Sequence, residues 1–187
     1  MQSSGRCHIF LTGLPGVGKT TLIEKAIANI KESGISISGF YTKERRNGNE
    51  RIGFDIVTLC GKQAPLARCS VSRKGPMVGK YTVDVASFED CVLPLLEETS
   101  DSKHLYIIDE VGKMELFSER FKRKTRKILQ DSDNEFIVLG TIPVKRGKGI
   151  PFVESIREDK RVKIFEVTKH NRNDILNDIV QSILVQF

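Results

Sequence analysis

Gly13-Leu14-Pro15-Gly16-Val17-Gly18-Lys19-Thr20 decides how this chain folds. The stretch fits the spacing G-x-x-x-x-G-K-[ST] without a mismatch. Before it, His8-Ile9-Phe10-Leu11-Thr12 is a short, largely apolar run suited to a buried parallel strand. After it, Leu22, Ile23, Ala26, Ile27 and Ile30 recur at helical spacing. In a strand, glycine-rich turn and helix, consecutive backbone N–H groups backed by a helix N-terminus form a concave anion site. Glycine lets the backbone approach an anion and adopt dihedrals that a Cβ penalises. Lys19 is suited to the β- and γ-phosphates of a nucleotide, and the Thr20 hydroxyl to Mg²⁺. Residues Gly13 to Thr20, with Thr21 behind them, are the candidate phosphate-binding set.

A second informative stretch is Leu105-Tyr106-Ile107-Ile108-Asp109-Glu110. It predicts a buried strand whose C-terminal tip is acidic, and in open α/β sheets ligands sit at that edge. Asp109 is the candidate metal carboxylate, and Glu110 beside it is the candidate base for an attacking water. Lys19 and Glu110 are therefore the expected catalytic pair. Glu135 to Thr141 predicts another central strand, expected between the other two, with Thr141 at its tip as a candidate γ-phosphate sensor. Pro143 to Pro151 is a basic loop able to serve as a lid.

Between these landmarks, residues 35–84 read as an antiparallel excursion: Ile35 to Glu44 alternates as a strand does, Arg51 to Leu59 is a β-rich run, and Val78 to Asp84 suggests another strand. Asn47-Gly48-Asn49 marks a hairpin, and turn residues recur from Gly61 to Pro65. Ser87, with Asp90 three positions on, reads as a helix cap, and Pro94 should kink or split that helix. Met114 to Gln130 predicts a helix with Phe117, Phe121, Ile128 and Leu129 facing the core. Its cations, Arg120, Lys122, Arg123, Lys124, Arg126 and Lys127, form a solvated face, or one arginine reaches the nucleotide, or the patch meets RNA. Val162 to Thr168 is the last strand, and Ile175 to Val185 the last helix. In the turn between them, Asn171 and Arg172 either contact a nucleotide base or, for Asn171, cap the helix.

Composition limits the remaining choices. A chain of 187 residues builds one α/β domain, spanning 1–187. Apolar and charged fractions of 39% and 29% are those of a soluble globular protein, and no apolar run approaches the length of a membrane span. The first residues lack a signal-peptide core, so a cytoplasmic location is expected, with a nuclear one equally compatible. Cys7, Cys60, Cys69 and Cys91 show neither zinc spacing nor a disulfide pattern and are expected to be reduced thiols. The net charge of +6 suits anionic partners, and nucleotide phosphate already supplies one. The fold class is α/β in three layers, with a mostly parallel central sheet, an antiparallel excursion at about 35–84, and a monomer as the expected unit.

Gly13–Thr20, the run Ile-Ile-Asp-Glu-Val-Gly-Lys-Met-Glu-Leu at 107–116, Gly140-Thr141-Ile142-Pro143 and Thr168 to Arg172 together resemble the THEP-type nucleoside-triphosphatases. Gly39-Phe40-Tyr41 and Arg51 to Asp55 match in the same order. The resemblance implies a RecA-like P-loop NTPase fold and slow, Mg²⁺-dependent hydrolysis of ATP, GTP, CTP and UTP to the diphosphate, with little base preference. It gives Lys19 and Thr20 to phosphate and metal, Asp109 to metal and Glu110 to water. Glu115 falls within the signature, but the residues alone suggest no role for it. Gln2 to Arg6 has no counterpart and is expected to be flexible. Two alternatives stand beside hydrolysis: a small nucleotide or nucleoside kinase, and an RNA-associated nucleotide switch.

Overall fold

The apolar run before the phosphate-loop sequence, and those at 104–109 and 136–142, become central strands because they are apolar on both faces. A computed structural model describes residues 6–69, 74–97, 103–131 and 136–187. In strand β1 (His8–Thr12), every residue is buried. The same holds for β7 (His104–Asp109) and β8 (Phe136–Ile142). Along these strands Ile9, Leu11, Leu105, Ile107, Ile137 and Leu139 enter one apolar cluster. Phe10, Tyr106, Ile108 and Val138, the residues between them, enter another. Alternating side chains point to opposite faces, so the two clusters lie on either side of one sheet. Helices α1 (Lys19–Ile30) and α5 (Leu176–Leu184) cover the first face. Helices α2 (Val85–Val92), α3 (Glu119–Gln130) and α4 (Pro151–Glu158) cover the second. Three layers result, as expected of a parallel sheet.

The other strands are β2 (Ser36–Asn47), β3 (Glu50–Thr58), β4 (Gln63–Arg68), β5 (Met77–Val78), β6 (Tyr81–Val83) and β9 (Val162–Glu166). Among the described residues the sheet has nine strands in the order β5-β6-β4-β3-β2-β7-β8-β1-β9. Pairing from β2 through β9 is parallel, and from β2 out to β5 it is antiparallel. Strand β8 lies between β1 and β7, as expected of a hydrolase that carries a glutamate after its metal aspartate. After β1 the chain crosses to β2 on one side, while β9 lies on the other. The crevice at the carboxyl ends beside β1 is therefore where a ligand belongs. Strand β2 joins the two halves, with β7 on one flank and β3 on the other. Gly39 permits this: its φ is +132°, and a Cβ there would stand 2.0 Å from the Ile107 carbonyl oxygen. No helix among the described residues is long and apolar enough to cross a membrane.

Several local expectations need correction. The N-cap of α2 is Asp84, whose carboxylate accepts the Ser87 N–H at 3.0 Å, so Ser87 lies inside the helix. Pro94 ends that helix as expected, in a 3-10 turn at Leu93–Leu96. The helix predicted from Met114 begins only at Glu119. Ser118 intervenes, its hydroxyl accepting the Phe121 N–H at 2.9 Å, and Phe117 is exposed. Pro65 lies within β4, and the strand expected at 78–84 is a short hairpin, β5 and β6. Residues 1–5 of the end expected to be flexible fall outside the described residues. Arg6 is held, its Nε donating to the Gln186 carbonyl at 2.7 Å.

Candidate functional site

The loop after β1 has the backbone its glycines permit. Gly16 and Gly18 take φ values of +72° and +111°, where other residues are strained. Gly13 serves by close approach instead, since a Cβ there would meet the Val167 carbonyl oxygen at 2.5 Å. Gly18 is the N-cap of α1 and provides no side-chain cap, so the first N–H groups of the helix are left to the crevice. Lys19 Nζ arches back over the loop and donates to the carbonyls of Gly13 at 2.9 Å and Leu14 at 3.4 Å. That holds the ammonium above the anion nest.

The acidic strand tip meets this loop across β8. Thr20 Oγ1 donates to Asp109 Oδ2 at 2.5 Å, joining residues 89 apart in sequence. Thr141 Oγ1 donates to the other carboxylate oxygen, Oδ1. Thr141, the candidate sensor, is fully buried, with its hydroxyl committed to Asp109. Thr42 Oγ1 donates to the Asp109 carbonyl at 2.8 Å, a contact no motif announces. Burial pushes the Asp109 carboxyl up, against the hydroxyls of Thr141 and Thr20 that favour its charged form. A buried carboxylate and an adjacent hydroxyl, with no histidine or thiol beside them, suit a hard divalent cation. They fit Mg²⁺, which binds through one or two protein oxygens plus substrate phosphate and water.

Glu110 lines the same crevice, and burial raises its pKa while Lys19 opposes the rise. Glu115 is the residue that sequence reasoning left without a role. It is 4% exposed, and Oε2 accepts the Gly112 N–H at 3.1 Å. A Cβ on Gly112 would lie 2.5 Å from Glu110 Oε1 and 3.0 Å from Glu115 Oε2, so that glycine leaves room for both carboxyls. Burial, then the neighbouring Glu110 charge, push Glu115 up to about 8. Its position in the 107–116 run was the only available signal, because burial of an acid cannot be seen in sequence.

The cavity has a volume of about 670 Å³. It runs from Gly16, Lys19 and Glu110 to Arg51, Phe54 and Leu66 on the antiparallel excursion. That second end was not anticipated from sequence. Arg51 there is neutralised by Glu44 at 2.6 Å and rests over the Phe54 ring, 5.2 Å from its centroid. The loop at 143–150 forms another wall. Leu14, Val17, Asn171 and Arg172 are not part of the cavity lining. Leu14 is 61% exposed, whereas Val17 is buried beneath the loop. Arg172 Nη1 donates to the Val17 carbonyl at 3.4 Å, so the guanidinium lies against the outer side of the phosphate loop.

Asn171 Oδ1 accepts the Thr168 N–H at 2.8 Å, and Nδ2 donates to the Glu166 carbonyl at 2.9 Å. Asn171 therefore pins the turn, and α5 begins later, after Ile175, without a side-chain cap. Of the two roles the sequence offers Asn171, capping of the helix by its side chain is not found. On α3, Arg120 pairs with Glu89 at 3.0 Å and Lys124 with Glu97 at 2.5 Å. Lys122 pairs with Glu119, and Arg126 lies over Phe152. Much of the basic face is thus locally engaged.

The family model described as NTPase matches residues 8–180. The cancer-related nucleoside-triphosphatase of Homo sapiens is 49% identical over 184 residues, covering 94% of this chain and 96% of that protein. Nucleoside-triphosphatase THEP1 of Thermotoga maritima is 43% identical over 172 residues, covering 92% of each. The solution structure of a human cancer-related nucleoside triphosphatase superposes with a TM-score of 0.82 at 48% identity, covering 96% of this chain and 98% of that one. The crystal structure of THEP1 from the hyperthermophile Aquifex aeolicus gives 0.82 at 38% identity, covering 94% and 98%. On sequence and structure alike, this chain belongs to the NTPase family.

Proposed function

We propose that this protein hydrolyses ATP, GTP, CTP and UTP to the diphosphate and phosphate, as a Mg²⁺-dependent monomer with low base specificity. The observation that carries the reading is the 2.5 Å bond between Thr20 and Asp109, with Glu110 on the same wall of the crevice. A bound Mg²⁺, held by Thr20 and Asp109, would neutralise charge on the β- and γ-phosphates. Loop N–H groups and Lys19 hold the phosphates in place. Glu110 orients a water and accepts its proton, and the raised affinity of its buried carboxyl for a proton suits that task. Thr141 fixes the rotamer of Asp109 from behind. Low base specificity is supported by the turn at 168–172. The Asn171 amide is engaged by backbone there, which leaves the Arg172 guanidinium to stack on a base without reading its edge.

Phosphate release from each of the four nucleotides, with and without Mg²⁺, tests the proposal. Comparable rates that vanish on chelation are expected, and strict dependence on one base would overturn the broad specificity. Glu110→Gln should bind ATP normally and turn over about 10²–10⁴ times more slowly, the range for a positioned base.

One observation favours a second reading, a small kinase. The cavity continues past the phosphate site to Arg51, Phe54 and Leu66, where a phosphoryl acceptor could lie. Label from γ-labelled ATP appearing on added nucleosides or nucleoside monophosphates would support it. Phosphate release alone, with no label on those probes, discards it.

A further inference from the structure

We propose that Arg146 is the cation that stabilises the transition state of the hydrolysis, supplied from the protein's own chain. The proposal rests on the hydrolase reading above. In phosphoryl transfer, charge spreads over the equatorial oxygens of the γ-phosphoryl group, and a planar guanidinium with several N–H donors suits those oxygens well.

Of the described arginines, Arg51 and Arg146 are the two that line the cavity, and the contacts of the others point to Arg146. Arg51 lines the cavity but its guanidinium is already engaged, with Nη1 on Glu44 at 2.6 Å and Nε donating to Tyr81 Oη at 3.1 Å. Arg45 and Arg68 both face Asp55. Arg120 pairs with Glu89, Arg157 with Glu154 and Arg161 with Asp159. Arg172 lies outside the cavity against Val17. Arg146 lines the cavity and, among the described residues, carries no acidic partner on its side chain. Its fork of donors is therefore free for an anionic ligand.

Local structure places it at the cavity's edge. Arg146 lies on the loop that leaves β8, the strand whose tip carries Thr141. Arg157 Nη2 holds the start of this loop at the Pro143 carbonyl, 2.8 Å away. Lys145 is drawn aside to Glu154 at 3.1 Å. The Gly149 N–H closes a turn onto the Arg146 carbonyl at 3.1 Å, with Gly147 at φ +58°. Adjacent cations thus part company: Lys145 goes to α4 and Arg146 to the cavity wall.

In the reaction the water oxygen bonds to the γ-phosphorus as the bond to the β–γ bridging oxygen breaks. The electron pair leaves with the diphosphate, and the water proton goes to Glu110. Arg146 exchanges no proton and makes no covalent bond. Its N–H groups meet the equatorial oxygens, more strongly as their charge rises. Lys113 also lines the cavity without an acidic partner among the described residues. It presents a single point charge rather than a fork, and is the natural comparison.

The test measures turnover, ATP KM and ADP affinity for wild type, Arg146→Ala, Arg146→Lys and Lys113→Ala, together with binding of ADP–aluminium fluoride as a transition-state mimic. Arg146→Ala should lower kcat by about 10²-fold or more, toward the 10³–10⁵ of known arginine fingers. ADP affinity should stay within about threefold, and preference for the aluminium fluoride complex should be lost. Arg146→Lys should recover only part of the rate, because the paired donors are missing. Wild-type kcat in Arg146→Ala would overturn the proposal, as would an equal loss of ADP affinity, or the rate loss appearing in Lys113→Ala instead. If wild type releases no phosphate from any of the four nucleotides, the hydrolase reading itself fails. If wild type turns over and Glu110→Gln does not, a normal Arg146→Ala sinks this proposal alone.

Discussion

Replacing Glu115 by Gln should change how the stability of the protein depends on pH. Glu115 is 4% exposed, and burial followed by the Glu110 charge raises its pKa from 4.5 to about 8. The unfolded chain releases this proton above about 4.5, whereas the folded protein keeps it until about 8. Between those values the native state holds a proton that the unfolded state has lost, so rising pH favours unfolding. The slope contributed by one such group is about 1.4 kcal/mol per pH unit, or about 3 kcal/mol from pH 5.5 to 7.5. Gln keeps the shape and the acceptor for the Gly112 N–H but cannot ionise. The stability difference between Glu115→Gln and wild type should therefore grow by about 3 kcal/mol over that interval. For a chain of this size that is roughly 6–12 °C in Tm. Urea unfolding at pH 5.5, 6.5 and 7.5, followed by circular dichroism without metal or nucleotide, measures it. Parallel stability curves for the two proteins would refute the assignment of a buried, protonated Glu115.

Two further predictions concern the scaffold. His8 is 2% exposed, its Nδ1 accepts the Val138 N–H at 3.1 Å, and burial lowers its pKa from 6.5 to about 4. The sign is opposite to that of Glu115. Stability from neutral His8 is complete above pH 6.5 and falls by about 3 kcal/mol as pH drops to 4. A magnetic-resonance titration of the ring protons should give a midpoint near 4, and one near 6.5 would contradict the buried neutral ring. Gly39→Ala should cost at least about 3 kcal/mol, because its Cβ would overlap the Ile107 carbonyl where β2 pairs with β7. Gly48→Ala, with open space around its Cβ, is the control and should cost about 1 kcal/mol in the same urea assay.

Phosphate-loop chemistry is local, and so were the features legible in the sequence. Gly16, Gly18 and Lys19 act through the backbone and reach of one short segment. The buried strands at 8–12 and 104–109 are doubly apolar runs that leave few alternatives. Helix starts were harder, since the caps at Asp84 and Ser118 compete with nearby residues of similar chemistry. Sequence leaves capping by Asn171 open, but its amide closes a turn onto Thr168 and Glu166, a choice made by the path of the backbone.

The sequence by itself determined the anion nest, the acidic strand tip and the buried central strands, because each depends on residues close together in the chain, whereas helix α4 at Pro151–Glu158 was not foreseen. Tertiary structure alone decided that Thr20 and Thr141 share the two oxygens of Asp109, that Glu115 is buried beside Glu110, and that Arg146 lines the cavity while Lys145 pairs with Glu154. Those outcomes depend on burial and on distances between segments far apart in sequence, which a one-dimensional pattern does not carry.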